Sequence, residues 1–132
     1  MTAPQKIPSL TKEVTQDQIG RYAAVSGDFN PMHLDPAYAA KTPFGRTIAH
    51  GMLLVGFISE LMTRSFGRRW LEGGRLRVRF KSPAYPGDRL TISGVMREVL
   101  PEESNQRVVC TVTCYNQNEE EVVVGEASVI LR

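Results

Sequence analysis

Cysteine, histidine and tryptophan are scarce, with two, two and one residues respectively in a chain of 132. Cys110 and Cys114 lie four apart in a stretch that reads as a strand. At ~3.3 Å per residue their Cα atoms stand roughly 13 Å apart, and a disulfide needs less than about 7 Å. Both read as reduced thiols on one face of a sheet, the usage of a reducing cytoplasm. Two cysteines and two separated histidines, His33 and His50, form no metal-ligand pattern, so neither metal nor cofactor is expected. A net charge of only +2 excludes the strong basic field that a nucleic-acid backbone requires. Long apolar runs are also missing. The most apolar stretch, Met52 to Met62, is broken by Ser59 and Glu60 and falls far short of the ~20 residues that span a bilayer. The first residues, Met-Thr-Ala-Pro-Gln-Lys, lack the charged and then apolar pattern of a secretory signal. These absences predict a soluble cytoplasmic protein with no nucleic-acid or membrane partner.

Apolar residues make up 42% of the chain and charged residues 23%, enough to build one core. No repeat, linker or low-complexity tract divides residues 1–132, so a single domain is expected. A short extended lead contains Pro4 and Pro8. Thr15-Gln16-Asp17-Gln18 then matches a capping box and predicts a helix carrying Ile19, Tyr22 and Ala23 on one face, with Gly27 suited to end it. Asp35-Pro36 starts a second, short helix that Pro43 closes, which leaves His33 in the connection between the two. A third helix, about 51–66, is apolar nearly all round, as befits a central, covered helix. From Arg75 the period becomes two, and the runs 75–82, 88–100, 106–117 and 121–131 read as consecutive antiparallel strands. In the first run Arg75, Arg77, Arg79 and Lys81 alternate with apolar residues, the pattern of a solvated outer face. The class is α+β, a sheet wrapped around one buried helix.

Both histidines fall within residues 22–51, beside Asp28 in the sequence Gly27-Asp28-Phe29-Asn30-Pro31-Met32-His33. Pro31 stiffens the turn, so a carboxylate and an imidazole five residues apart can aim at a common point. Spacing alone leaves a second reading open, in which Asp28 ends a helix and Asn30-Pro31 forms an ordinary loop. His50, just before the apolar helix, fits the role of a loop-ordering residue that bonds backbone carbonyls. Asn30 fits a support that fixes the loop or the pair through its amide.

The run from Tyr22 through Ser26-Gly27-Asp28-Phe29-Asn30-Pro31-Met32-His33 to Ala39 resembles the signature of the R-specific enoyl-CoA hydratases, the MaoC-like or hydratase 2 group. Ile48-Ala49-His50-Gly51-Met52 resembles that family's next motif, and Phe80-Lys81-Ser82-Pro83-Ala84-Tyr85-Pro86-Gly87-Asp88 resembles a third, in the same order and spacing. The resemblance implies a hot-dog fold, a curved antiparallel sheet around a long central helix. It also implies a homodimer with an acyl tunnel near its interface, and an acyl-CoA substrate hydrated at a trans-2 double bond. Carried over, Asp28 and His33 become the catalytic pair, and Gly51 donates its backbone N–H to the thioester carbonyl. Such a pair needs a base, and an ordinary carboxylate of pKa ~3.9 is a weak one, so partial desolvation of Asp28 is expected. Ser59 matches a serine near the active site of family members and shares roughly one helix face with Gly51 at ~3.6 residues per turn. Met62 and the surroundings of Ser128 are candidate positions for the tunnel bottom.

Three other functions compete. A 3-hydroxyacyl-[acyl-carrier-protein] dehydratase would use the same pair and dock its carrier on Arg68, Arg69 and the face from Arg75 to Lys81. A hot-dog thioesterase would need an acid on the central helix, for which Glu60 is the candidate. A non-catalytic acyl-binding module would have no use for both Asp28 and His33.

Overall fold

The computed structural model describes residues 5–131. In chain order the elements are β1 (Gln5–Glu13), α1 (Gln16–Ser26), α2 (Pro31–Leu34), α3 (Pro36–Ala39), α4 (Gly51–Phe66), α5 (Arg68–Gly73), β2 (Arg75–Phe80), β3 (Arg89–Glu102), β4 (Asn105–Tyr115) and β5 (Glu121–Leu131). The strands form one antiparallel sheet in the order β1-β3-β4-β5-β2. Strand and central-helix boundaries agree closely with the periodicity. The extended lead becomes β1, an edge strand, and Pro8 sits where its register with β3 shifts between Ile7 and Leu10. At such a position a missing N–H removes no ladder bond. Pro4 lies outside the described residues.

Only half of the capping box forms. Thr15 Oγ1 accepts from Gln18 N at 3.0 Å, whereas Gln18 Oε1 is buried without a partner. Gly27 closes α1 at φ 79°, a left-handed conformation that glycine adopts without the penalty of a Cβ. The segment around His33 is more ordered than a connection. Asn30 Oδ1 accepts from Met32 N and Pro31 takes the first helical position, so α2 uses the same device as Asp35-Pro36 in α3. α5 was also unforeseen, and neither short helix offers enough residues for a period to be read.

Burial of α4 departs from the expected full cover. Leu54, Phe57, Ile58, Leu61 and Met62 are buried in the core shared with the sheet, but Met52 is 60% exposed. Within one chain the sheet covers one side of the helix and leaves part of its apolar surface open. Arg75, Arg77, Arg79 and Lys81 are exposed, and two of them find carboxylates, Arg75 on Glu102 and Lys81 on Glu121.

Cys110 and Cys114 are free and fully buried. Burial pushes their thiols up to about 11 and about 12. The unfolded chain releases these protons at lower pH than the folded one, so folding stability falls as pH rises beyond the usual thiol range. At pH 8 a thiol reagent is expected to label neither cysteine until denaturant unfolds the protein. Stoichiometric labelling of the native protein would contradict this packing.

Candidate active site

Asp28, His33 and Gly51 line one cleft of about 480 Å³, walled in part by Met32, Leu54 and Phe80. Each arrives from a different piece of backbone: the turn after α1, the short helix α2, and the first residue of α4. The cleft is held together by three backbone bonds: Ile48 N to Met32 O, Ala49 N to Ala84 O, and His33 N to Asn30 O. All three sequence motifs therefore meet here.

His33 is 4% exposed, and its Nδ1 lies 2.8 Å from the Ile48 carbonyl oxygen. A carbonyl can only accept, so Nδ1 carries the proton and donates. That leaves the Nε2 lone pair facing Asp28 Oδ2 at 4.0 Å. Two acceptors at this separation do not bond each other, but a water about 2.8 Å from both can donate one proton to each. The Asp28 side chain is 51% exposed, so the expected desolvation is not met within one chain. Its loop, residues 27–30, is exposed among the described residues and forms the rim of the cleft.

Gly51 N–H is one of the first-turn donors that a helix cannot satisfy internally. A Cβ at Gly51 would stand 2.9 Å from Cε1 of Phe80, so the glycine permits the close approach of this ring. Asn30 is exposed and caps α2 through Oδ1, supporting the segment that carries His33. His50 stacks on His33 with ring centroids 3.9 Å apart and 24° between planes. One nitrogen or carboxylate oxygen from each of Asp28, His33 and His50 thus comes within 4.8 Å of the other two, which the sequence separation of the two histidines concealed. Stacked rings send their lone pairs along parallel planes rather than to one point, so this cluster is a poor cradle for a metal ion.

Ser59 does not join the cleft; its Oγ accepts from Trp70 Nε1 at 2.9 Å and fastens α5 to α4. Met62 is fully buried in the core, and Ser128 Oγ accepts from the buried Arg107, so neither lines the cleft as a tunnel bottom would. Ile48, Ala49, Leu54 and Ala84 are among the apolar residues that do line it. Glu60 is likewise elsewhere. It pairs with Lys12 and with Arg64 at 2.9 Å, and the Lys12 ammonium above all holds its carboxyl below the usual range. Gln16 and Thr47 were missed. Gln16 Nε2 donates to His33 O at 2.9 Å, and Thr47 Oγ1 donates to Gln16 Oε1 at 2.7 Å, bracing α2 from α1. No local sequence signal marks either residue.

An antiparallel sheet in the order β1-β3-β4-β5-β2, packed on one long helix whose N-terminus opens into the cleft, defines a hot-dog fold. The chain belongs to the MaoC-like family, whose model, described as a MaoC like domain, matches residues 2–121. It is 36% identical to the "(R)-specific enoyl-CoA hydratase" of Aeromonas caviae, over 92% of this chain and 90% of that protein. It is 35% identical to the mitochondrial "3-hydroxyacyl-[acyl-carrier-protein] dehydratase" of Arabidopsis thaliana, over 92% of this chain and 72% of that protein. Among solved structures, the unliganded R-hydratase of Pseudomonas aeruginosa superposes with a TM-score of 0.81 at 35% identity, over 98% of this chain and 81% of that one.

Proposed function

We propose that the protein is a hydro-lyase of one domain that reversibly adds water to trans-2-enoyl-CoA, giving (R)-3-hydroxyacyl-CoA. The observation that carries this reading is the pair of acceptors, Asp28 Oδ2 and His33 Nε2, 4.0 Å apart in a cleft that also contains the start of α4. A water held between them points its oxygen at C3 of an alkene in the cleft. As the C3–O bond forms, one of the pair takes a proton from the water, and the π electrons pass through C2 to the thioester oxygen. Gly51 N–H stabilises that oxygen, a contribution worth ~2.7–4 kcal/mol for a donor of this kind. The enolate collapses and C2 receives a proton from the dyad, so the elements of one water are added and no other reactant is consumed.

Two further readings follow from the same surface. The exposed Met52, the half-exposed Asp28 and the unpaired outer edge of β2 support a homodimer whose second chain covers the cleft rim. Among the described residues no helix is long and apolar enough to cross a membrane, and the buried free thiols support a cytoplasmic location. The plant relative favours one alternative, a carrier-protein thioester as substrate, since the same dyad would act on it. Arg68 as a carrier dock is weakened by its pairing with Glu72 at 3.0 Å. A thioesterase reading loses its acid, because Glu60 is ion-paired outside the cleft.

The test is to follow one trans-2-enoyl-CoA for loss of enoyl absorbance and for free thiol in parallel, with chiral analysis of the product. Hydration to the R alcohol without thiol release is expected. Thiol release at the rate of absorbance loss would replace this reading with hydrolysis. Repeating the assay across chain lengths, and with carrier-bound substrates, assigns the acyl group and the carrier.

A further inference from the structure

His50 is only 2% exposed, yet the hydration chemistry gives its ring no proton to carry. Its Nε2 lies 3.0 Å from the Asp28 carbonyl oxygen and must donate, since the carbonyl only accepts. Its Nδ1 is buried with no partner, so the bond to Asp28 is the only one the ring makes among the described residues. One face of the ring stacks on His33, and Tyr22 tilts against it with centroids 4.8 Å apart. The backbone carbonyl of His50 accepts from Leu53 N and Leu54 N and so begins α4, whose first residue is Gly51. A single side chain therefore touches the backbone of one dyad member and the ring of the other, one residue before the N–H donor.

We propose that His50 is a positioning residue that acts through two separable contacts. Its N–H donor fixes the Asp28 turn, and its ring face fixes the plane of the His33 imidazole. Each is needed for a different reason. Asp28 follows a left-handed glycine on an exposed loop; its Oδ1 accepts from Asn30 N within that loop, and the His50 N–H ties the loop's backbone to the start of α4. His33 is held at Nδ1 by Ile48, and the stacked His50 ring packs against its face and restrains the tilt that a single hydrogen bond tolerates.

This inference rests on the hydration reading, and its test has an arm that does not. His50→Gln keeps an N–H donor and loses the ring, His50→Phe keeps the ring and loses the donor, and His50→Ala loses both. For enoyl-CoA hydration, His50→Ala is expected to lower kcat by ~100-fold, the cost of misplacing reacting groups by about 1 Å. KM should stay within about threefold, and Gln and Phe should each recover part of the loss. Gln and Phe both as inactive as Ala would make His50 a proton-transfer residue and overturn the proposal. Unchanged kcat with only a lower Tm would reduce it to a packing residue, with the same result. The second arm reads imidazole nitrogen NMR shifts in the free protein. His33 is expected as its Nδ1–H tautomer and His50 as its Nε2–H tautomer, and the His33 ring signals should shift and broaden in His50→Ala, as its ring loses its restraint, but stay as in the parent in His50→Phe. A protonated His50 Nδ1 in the wild type, or an unaltered His33 in His50→Ala, would refute the proposal even if no enoyl-CoA were ever turned over.

Discussion

Asp28→Asn is expected to lower kcat for enoyl-CoA hydration by at least ~100-fold, and His33→Ala by as much. The amide of asparagine can still accept from the Asn30 N–H, as Asp28 Oδ1 does at 3.2 Å, so the turn should keep its shape. What it loses is the second basic acceptor of the proposed dyad, opposite His33 Nε2. Because that side chain is half-exposed in the chain, its replacement should leave the melting temperature nearly unchanged. His33→Ala is less clean, since it also strips the Ile48 carbonyl of its donor inside the core-facing wall. His33→Gln, which can still donate there, separates the two effects. In the proposed dyad the two residues act on one water, so the double variant should be little worse than either single one. Full activity in Asp28→Asn, or strictly multiplicative losses in the double variant, would break the assignment.

Gly125→Ala is expected to cost about 3 kcal/mol of folding stability, at the upper end of ordinary overpacking. A Cβ there would stand 2.0 Å from the Arg77 carbonyl oxygen and 2.8 Å from Val78 Cα, both rigid backbone rather than the tip of a side chain. Gly125 pairs with Val78 on one side and Val112 on the other, so the clash has no free direction in which to relax. β2 would be driven from β5. The effect reaches the cleft, because β2 ends in Phe80 and runs on to Ala84, whose carbonyl accepts from Ala49 N. Urea unfolding should report the loss directly, and in a domain of this size Tm should fall by roughly 10 °C. Gly20→Ala is the control: no atom stands within 4 Å of its Cβ, and alanine should strengthen α1 by ~0.5–1 kcal/mol. A Gly125→Ala protein as stable as the parent would mean that the β2–β5 approach is looser than described.

Most of the architecture was legible because its signals are local. The period of two over β3, β4 and β5, the apolar run of α4 and the Thr15 cap all act between near neighbours in the chain, and each element formed where its pattern lies. Asn30-Pro31 carries the same kind of signal for α2, whose four residues are too few for a helical period to mark. Ser59 shows the limit of helical spacing. It lies on the same side of α4 as Gly51 by count, but α5 crosses there, and the Trp70 indole claims its hydroxyl. Nothing near Ser59 in sequence announces a tryptophan eleven residues on as its partner.

By itself the sequence determined the α+β class, the strands and central helix, and the three motifs that contain Asp28, His33 and Gly51, since helix caps, periodicity and turn chemistry are written into neighbouring residues. Only the tertiary structure decided how those motifs meet. It stacked two histidines 17 residues apart, fixed the tautomer of each through a distant carbonyl, and set Asp28 Oδ2 and His33 Nε2 4.0 Å apart. It also left one side of α4 and the rim at Asp28 uncovered. These are through-space relations between segments whose separation is set by packing, and no local pattern in the chain encodes them.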